Sequence, residues 1–324
     1  MEITIASIFG IAVLSFSYGV IVGHYEVFPH SLLGKSKSFV ELAIVPSTQP
    51  VATIPDIKKI NNKPTISIHF IDVGKKKSDC ILINVEGGKT TLIDVGRKSH
   101  GPGICEYVKN REIEEIDLLL LTHYHGDHYG GLQSVIDTFD VGKIILPKYW
   151  TEKEEQRRES VLGIINELPA EVAEIGKSYE MGGGACLEVI GPQQKYSSGL
   201  YPGNENSTIC RLNHDSLTAL FMGDAGEIAE QDILESNNEI KSDILKIGHH
   251  AYPGTTSIKF IESVKPSEAV ITTDGKYSKH INAVVERLNF VSDANSYMTD
   301  EHGTVVVQAF DDSSYNLITA KDSQ

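Results

Sequence analysis

Three histidines and one aspartate fall within six residues in the segment Thr122-His123-Tyr124-His125-Gly126-Asp127-His128, and Tyr129-Gly130-Gly131 follows directly. Imidazole and carboxylate groups are the ligands that borderline divalent metals prefer. His123 and His125 alternate, so in an extended segment both rings point to one side. Asp127 and His128 come after the chain has begun to turn, which lets them face a second ion. Paired metals in hydrolytic sites sit roughly 3.5–4 Å apart. A loop that is histidine-rich by accident is the bland alternative, and four potential ligands at this spacing behind a buried strand weigh against it.

Such ligands need a rigid frame. The apolar run Asp117-Leu118-Leu119-Leu120-Leu121 reads as a buried strand, and Leu132-Gln133-Ser134-Val135-Ile136 reads as a helix opened by the two glycines. The cluster therefore lies on a strand-to-helix loop. Other strand patterns cover 65–73, 80–85, 90–95, 143–146, 172–175 and 185–190, with a short helix over 104–111. Thr151-x-x-Glu154 is a capping box that opens a helix through 168. Gly182-Gly183-Gly184 is a turn, because no helix with Lys-Ser/Thr follows it. The segments 207–212 and 216–222 read as a hairpin, and helices and strands alternate from 225 to 289. The segments 296–299 and 304–309 read as a final hairpin. No repeat of solenoid length is present.

The His-x-His-x-Asp-His pattern followed by Gly-Gly resembles the metallo-β-lactamase superfamily, and the resemblance runs from about Thr65 to about Ala320. Ile71-Asp72-Val73-Gly74 and Leu92-Ile93-Asp94-Val95-Gly96 resemble that fold's first strands. Phe221-Met222-Gly223-Asp224 resembles the strand that delivers a metal-bridging aspartate, and Ile244-Leu245-Lys246-Ile247-Gly248-His249-His250 the strand that delivers the last histidine. Together with Asn204-x-Asn206-Ser207, these segments look most like the hydrolase domain of ComEC-type DNA-uptake proteins and their stand-alone relatives.

The resemblance implies an α/β fold, a four-layer αββα sandwich over 64–324. It also implies two divalent ions, zinc first with manganese as the alternative. His123 and His125 would hold one ion. Asp127, His128 and one of the paired histidines, His249 first, would hold the other, with Asp224 bridging. Asp127, Asp224 and His250 are the expected catalytic residues, His250 as the proton donor. Asn204, Asn206, Ser207 and His280 are the expected substrate contacts. The implied reaction is hydrolysis by a metal-bound hydroxide, first on a phosphodiester (nucleic acid or a small phosphodiester). Ester, thioester or lactone hydrolysis on the same scaffold is the second reading.

Three departures stand out. Most family members carry a further histidine before the Gly-Asp strand, where this chain has Gly203-Asn204-Glu205-Asn206-Ser207 and the ComEC-type branch also shows Asn and Ser. The branch reads His-His-Gly where this chain has Ala251, and Lys75-Lys76-Lys77 intervenes before Ser78-Asp79. The missing histidine and Ala251 motivate a third reading, a membrane-tethered binding module with a decayed metal site.

The 324-residue chain carries a formal net charge of −15. That balance argues against a broad electrostatic footprint for nucleic acid, which leaves nucleic acid as a substrate rather than a tightly held partner. Lys75–Lys77, Lys153, Arg157 and Arg158 read as solvated groups. Cys80, Cys105, Cys186 and Cys210 lack metal-type spacing and read mainly as buried hydrophobes. Residues 3–22 carry no charge and are long enough to span a bilayer, so 1–23 reads as an uncleaved signal anchor. Residues 24–63 read as a juxtamembrane segment and linker. The positive-inside rule applied to Lys35 and Lys37 favours a cytoplasmic domain. Tyr25-Glu26-Val27-Phe28-Pro29 resembles juxtamembrane segments of exported bacterial enzymes, and the expectation is a single-pass, extracytoplasmic domain.

Overall fold

The computed structural model describes residues 63–321. Its strands are β1 (Ile66–Phe70), β2 (Ile81–Val85), β3 (Thr90–Ile93), β4 (Glu115–Leu120), β5 (Asp140–Leu146), β6 (Ala170–Val172), β7 (Ser178–Gly182) and β8 (Ala185–Gly191). They continue with β9 (Ile209–His214), β10 (Leu217–Phe221), β11 (Ile244–Lys246), β12 (Glu268–Ile271), β13 (Asn295–Met298), β14 (Val305–Ala309) and β15 (Tyr315–Thr319). One sheet runs β15-β14-β1-β2-β3-β4-β5-β6 and the other β13-β12-β11-β10-β9-β8-β7.

Alternation along the strands builds the layers. On β2, Ile81, Ile83 and Val85 face the core shared by both sheets, where they meet Met181, Leu187, Leu212 and Phe221. Leu82 between them faces the other way, toward Ile104 and Val108 of the helix Gly101–Lys109 and Val161 of the helix Glu155–Ile165. The second sheet repeats this logic. Ile244 joins the inter-sheet core while Leu245 packs with Ile233, Phe260 and Val284 from its own helices. The result is helix, sheet, sheet, helix, the αββα sandwich.

Both sheets place parallel strands where the ligands emerge. β3, β4, β5 and β6 are mutually parallel, as are β10, β11, β12 and β13. Asp94, His123, Asp224 and His250 follow the C-terminal ends of β3, β4, β10 and β11. Sites in α/β sheets collect at that end of the strands.

The capping box at Thr151 and Glu154 is present and opens the helix Glu155–Ile165. The glycine triplet closes the β7–β8 hairpin. The expected final hairpin is corrected. β13 pairs in parallel with β12, whereas β14 pairs with β1 and β15 in the other sheet. Two adjacent strand patterns look like a hairpin locally, but β13 pairs with β12 across the helix Ser278–Val291, and β14 pairs with the distant β1 and with β15, which follows it directly. Neither β7 nor β15 was anticipated, and β6 lies a little before its expected place.

The expected membrane-anchored, extracytoplasmic placement is also corrected. Among the described residues no helix is long and apolar enough to cross a membrane. The span expected over 3–22 and the linker up to residue 62 lie outside the described residues, and the localisation built on them is not carried forward.

The two glycines after the histidine cluster are demanded by contact. A Cβ on Gly131 would meet Val95 O at 2.1 Å, and one on Gly130 would meet Gly126 O at 2.4 Å. The backbone of the cluster thus lies directly against the loop after β3. We expect Gly131→Ala to destabilise the fold by about 1–3 kcal/mol, as overpacking does; urea unfolding of the variant checks this. Elsewhere, His69 on β1 is buried between the Ser67 hydroxyl (2.9 Å) and the Tyr107 hydroxyl (3.0 Å). Burial and the Arg111 charge push its ring from the ordinary 6.5 down to about 3. The unfolded chain therefore binds a proton there between these values and the folded chain does not. Stability from this group is full above pH 6.5 and is lost toward pH 3, at up to about 1.4 kcal/mol per unit. His69→Gln should flatten that part of the acid limb in unfolding measured at pH 5 and pH 7.

Candidate metal centre

The cluster is assembled from loops that hold each other by hydrogen bonds. Asp94, with a left-handed backbone (φ 58°), accepts from Thr122 N at 2.8 Å and Thr122 Oγ1 at 2.7 Å. Its Oδ2 also lies 2.7 Å from His128 Nδ1. A carboxylate against Nδ1 fixes the tautomer, so His128 donates from Nδ1 and offers Nε2 to the site. His123 and His125 stand on the same side of an extended backbone, their ring centroids 4.5 Å apart.

Asp224 lies at the meeting point. Its carboxylate is 3.2 Å from His128 Nε2, 3.5 Å from His250 Nε2 and 3.8 Å from His123 Nε2. Its amide donates to Ser207 Oγ at 3.1 Å. Gly223 has φ +54°, and a Cβ there would approach Ser207 and Thr122 at 3.0 Å. Burial would raise the Asp224 carboxyl, but His128, His250 and His249 hold it well below the usual carboxylate range. Burial depresses His123, and its neighbours His128 and His125 depress it further, so its ring is neutral. Burial acts the same way on His128, but the Asp224 and Asp94 carboxylates outweigh it and raise that ring well above its ordinary value. The field that favours a proton on this ring also favours a divalent cation beside it.

Among the described residues, three groups have ligand atoms within 4.8 Å of one another: His123, His125 and Asp224; Asp127, His128 and His250; and Asp79, His128 and Asp224. Shared members make these one cluster. The Nε2 atoms of His123, His128 and His250 and the Oδ1 of Asp224 are buried without a hydrogen-bond partner. Orphaned lone pairs converging in this way fit divalent cations, which satisfy several at once.

The paired histidines sit opposite to expectation. His250, not His249, joins Asp127 and His128. Three successive left-handed residues, His249 (φ 45°), His250 (φ 53°) and Ala251 (φ 63°), make the turn. His250 Nδ1 donates to Thr272 O at 2.7 Å, which turns Nε2 inward. His249 instead stacks on Tyr252, ring centroids 4.7 Å apart, and burial lowers its ring to about 4.

Other expected residues divide as follows. Asp127 is anchored by Arg97 (2.8 Å). The Asn206 amide is consumed by the Tyr196 backbone, accepting at 2.8 Å and donating at 2.9 Å, so it closes the 196–206 loop instead of facing the site. Asn204 is buried in the short helix Pro202–Glu205, and Ser207 supports Asp224 from behind. His280 is exposed at the rim, 6.3 Å from the Tyr252 ring. Lys77 is not simply solvated, since its ammonium lies over the Tyr252 ring at 4.4 Å.

Two residues of the cluster were not anticipated. Asp79 forms a buried ion pair with Lys246, accepts from Thr272 Oγ1 and lies 3.5 Å from His250 Nδ1. Burial would raise its carboxyl, but Lys246, His250 and His128 bring it below the ordinary value. Glu154 is buried with Oε1 3.2 Å from His125 Nε2. Both stand in motifs read from sequence, the acidic turn before β2 and the capping box, but neither motif announces its contact.

The chain is 26% identical over 260 residues to ComE operon protein 3 of Bacillus subtilis, a match covering 74% of this chain and 32% of that one. It is 25% identical over 217 residues to Recombination protein 2 of Haemophilus influenzae, covering 65% of this chain and 25% of that one. It thus spans a third or less of these relatives' length. Among solved structures, CmlA, a diiron β-hydroxylase from Streptomyces venezuelae, superposes with a TM-score of 0.50 at 14% identity, over 72% of this chain and 52% of that one. That likeness concerns the fold alone. The family described as "Metallo-beta-lactamase superfamily" matches residues 73–275, and the chain belongs to it.

Proposed function

We propose that the protein is a dinuclear metal-dependent phosphodiesterase. The observation that carries the metal reading is the convergence of buried, unpartnered nitrogens of His123, His128 and His250 on the Asp224 carboxylate. His123, His125 and Asp224 would hold one ion, and Asp127, His128, His250 and Asp224 the other. Nitrogen and oxygen donors of this kind suit zinc, with manganese as the alternative. Bound ions supply Lewis acidity and a nucleophile at neutral pH.

The chain's own residues do the rest. Asp94 and Thr272 hold the rings of His128 and His250 with Nε2 toward the site, so these two rings are already aimed before a cation arrives. With His250 in the cluster, His249 is the paired histidine left at the mouth, beside Tyr201 and Tyr252.

An aromatic platform supports the substrate class. Tyr201, His249, Tyr252 and Tyr277 make consecutive ring contacts with centroids 4.9, 4.7 and 4.8 Å apart. Tyr201 and Tyr277 are exposed by 36% and 43%, so the platform is open for stacking. Lys77 beside it can meet a phosphate. Planar bases joined by phosphodiesters match these rings and this charge. The overall charge of −15 restricts recognition to such local contacts.

Elemental analysis of the chelator-free purified protein should give about two equivalents of a transition metal, consistent with a two-metal site. Asp224→Ala, which removes the shared carboxylate, should retain less than one and hydrolyse bis(p-nitrophenyl) phosphate no faster than buffer. Absence of metal from the wild-type protein after reconstitution with zinc or manganese would sink the proposal. Faster turnover of p-nitrophenyl acetate than of the phosphodiester would replace it with an esterase reading. Tyr252→Ala should weaken binding of a short single-stranded oligonucleotide by about 1–3 kcal/mol, the range of one stacked base. Fluorescence titration reads this, and an unchanged affinity would remove the platform from the substrate site.

A further inference from the structure

Glu154 is a charged side chain with an unexplained burial. It is 2% exposed, on the short turn Glu152–Glu154 that precedes the helix Glu155–Ile165. One half of its carboxylate is fully used: Oε2 accepts from Thr151 N and Thr151 Oγ1, both at 2.8 Å. That half is the capping box, and it would serve equally well on an exposed turn. The other half does something else. Oε1 is buried with no hydrogen bond of its own and lies 3.2 Å from His125 Nε2.

The surroundings make room for this contact. Gly203, in the loop that reaches over from the second sheet, lies directly against the carboxylate. A Cβ there would meet Glu154 Oε1 at 2.7 Å. Any side chain at 203 would displace the oxygen that faces His125. The carboxylate is thus held by Thr151 on one side and packed against the bare backbone of Gly203 on the other, with Oε1 facing His125.

We propose that Glu154 is the positioning residue for His125, its Oε1 accepting a hydrogen bond from His125 Nε2 so that Nδ1 carries the lone pair presented to His123 and Asp224. A neutral imidazole has one N–H, and a carboxylate can only accept. The proton is therefore drawn to Nε2, and Nδ1 is the nitrogen left free. The same device fixes His128 through Asp94 and His250 through the Thr272 carbonyl, but with the ring reversed: there Nδ1 donates and Nε2 is presented. The inference deepens the hydrolase reading and rests on it for its purpose, though its test does not depend on metal.

The experiment is ring-nitrogen NMR of the metal-free protein labelled with 15N-histidine, at a pH where His125 is neutral. The wild-type ring should be protonated at Nε2. In Glu154→Gln, the amide oxygen is best used on Thr151 and the amide nitrogen faces His125, which then needs an acceptor at Nε2. The proton should move to Nδ1. Gly203→Ala, which pushes Oε1 away, should mix the tautomers. Thr151→Val removes only the cap hydroxyl and should leave the tautomer unchanged while lowering the melting temperature. An Nδ1–H ring in the wild type, or the same tautomer in wild type and Glu154→Gln, would overturn the proposal. On reconstitution, one ion should bind about 10–100-fold more weakly to Glu154→Gln than to wild type, the usual loss when such a partner is removed. Equal affinity at both sites would also count against it. If the wild-type protein shows the Nε2–H tautomer but takes up no metal, the hydrolase reading fails and the positioning role stands.

Discussion

Everything at the ligand end of the two sheets depends on the buried carboxylate of Asp224. A charged group without water is costly unless opposite charge or donors surround it. Histidine rings from two different loops supply that surrounding, His123 and His128 after β4 and His250 after β11. Ser207 holds the Asp224 amide in place from a third segment. Because one carboxylate meets rings from both sheets, the sheets cannot shift relative to each other without breaking the cluster. The inter-sheet core of Ile83, Leu118, Leu212 and Phe221 sets their spacing, and the histidine and aspartate cluster inherits it.

A second tier of residues decides which atom each ligand presents. Asp94 addresses His128, Thr272 addresses His250, and Glu154 lies against His125. Asp79 forms the floor, joined to the buried Lys246 and to Thr272. Lys246 also donates to Gly223 O at 3.0 Å, next to Asp224. One ammonium therefore ties the acidic turn before β2 to the Gly-Asp strand end. Buried charges arranged this way are weak stabilisers but strong organisers, since each is satisfied in one arrangement only.

The rim is built from different material. Its aromatic residues come from the 196–206 loop, the turn after His250 and the start of the helix Ser278–Val291. The Asn206 amide closes the first of these loops on Tyr196 and so sets where Tyr201 stands. The lysine run that departs from the branch pattern contributes Lys77 to the same surface.

The histidine cluster was legible in the sequence because its four ligand-type side chains, His123, His125, Asp127 and His128, are close neighbours on one short segment. Spacing alone puts His123 and His125 on one side and lets Asp127 and His128 turn away. Strand and helix patterns agreed with the layer order that the family resemblance implied, and the same resemblance picked out the Gly-Asp and His-His segments. The sequence by itself therefore determined which nitrogen and oxygen donors the cluster offers and the class of scaffold that carries them. It could not say which of two adjacent histidines faces inward, because three left-handed residues in succession reverse the usual alternation and Thr272, from another strand, selects the ring. Nor could it show that Asp79 meets Lys246 across 167 positions, that β13 and β14 part to different sheets, or that Glu154 reaches His125. Those contacts are made only once both sheets are stacked, since their partners share no local pattern and are chosen by the packing that leaves each buried charge a single place to go.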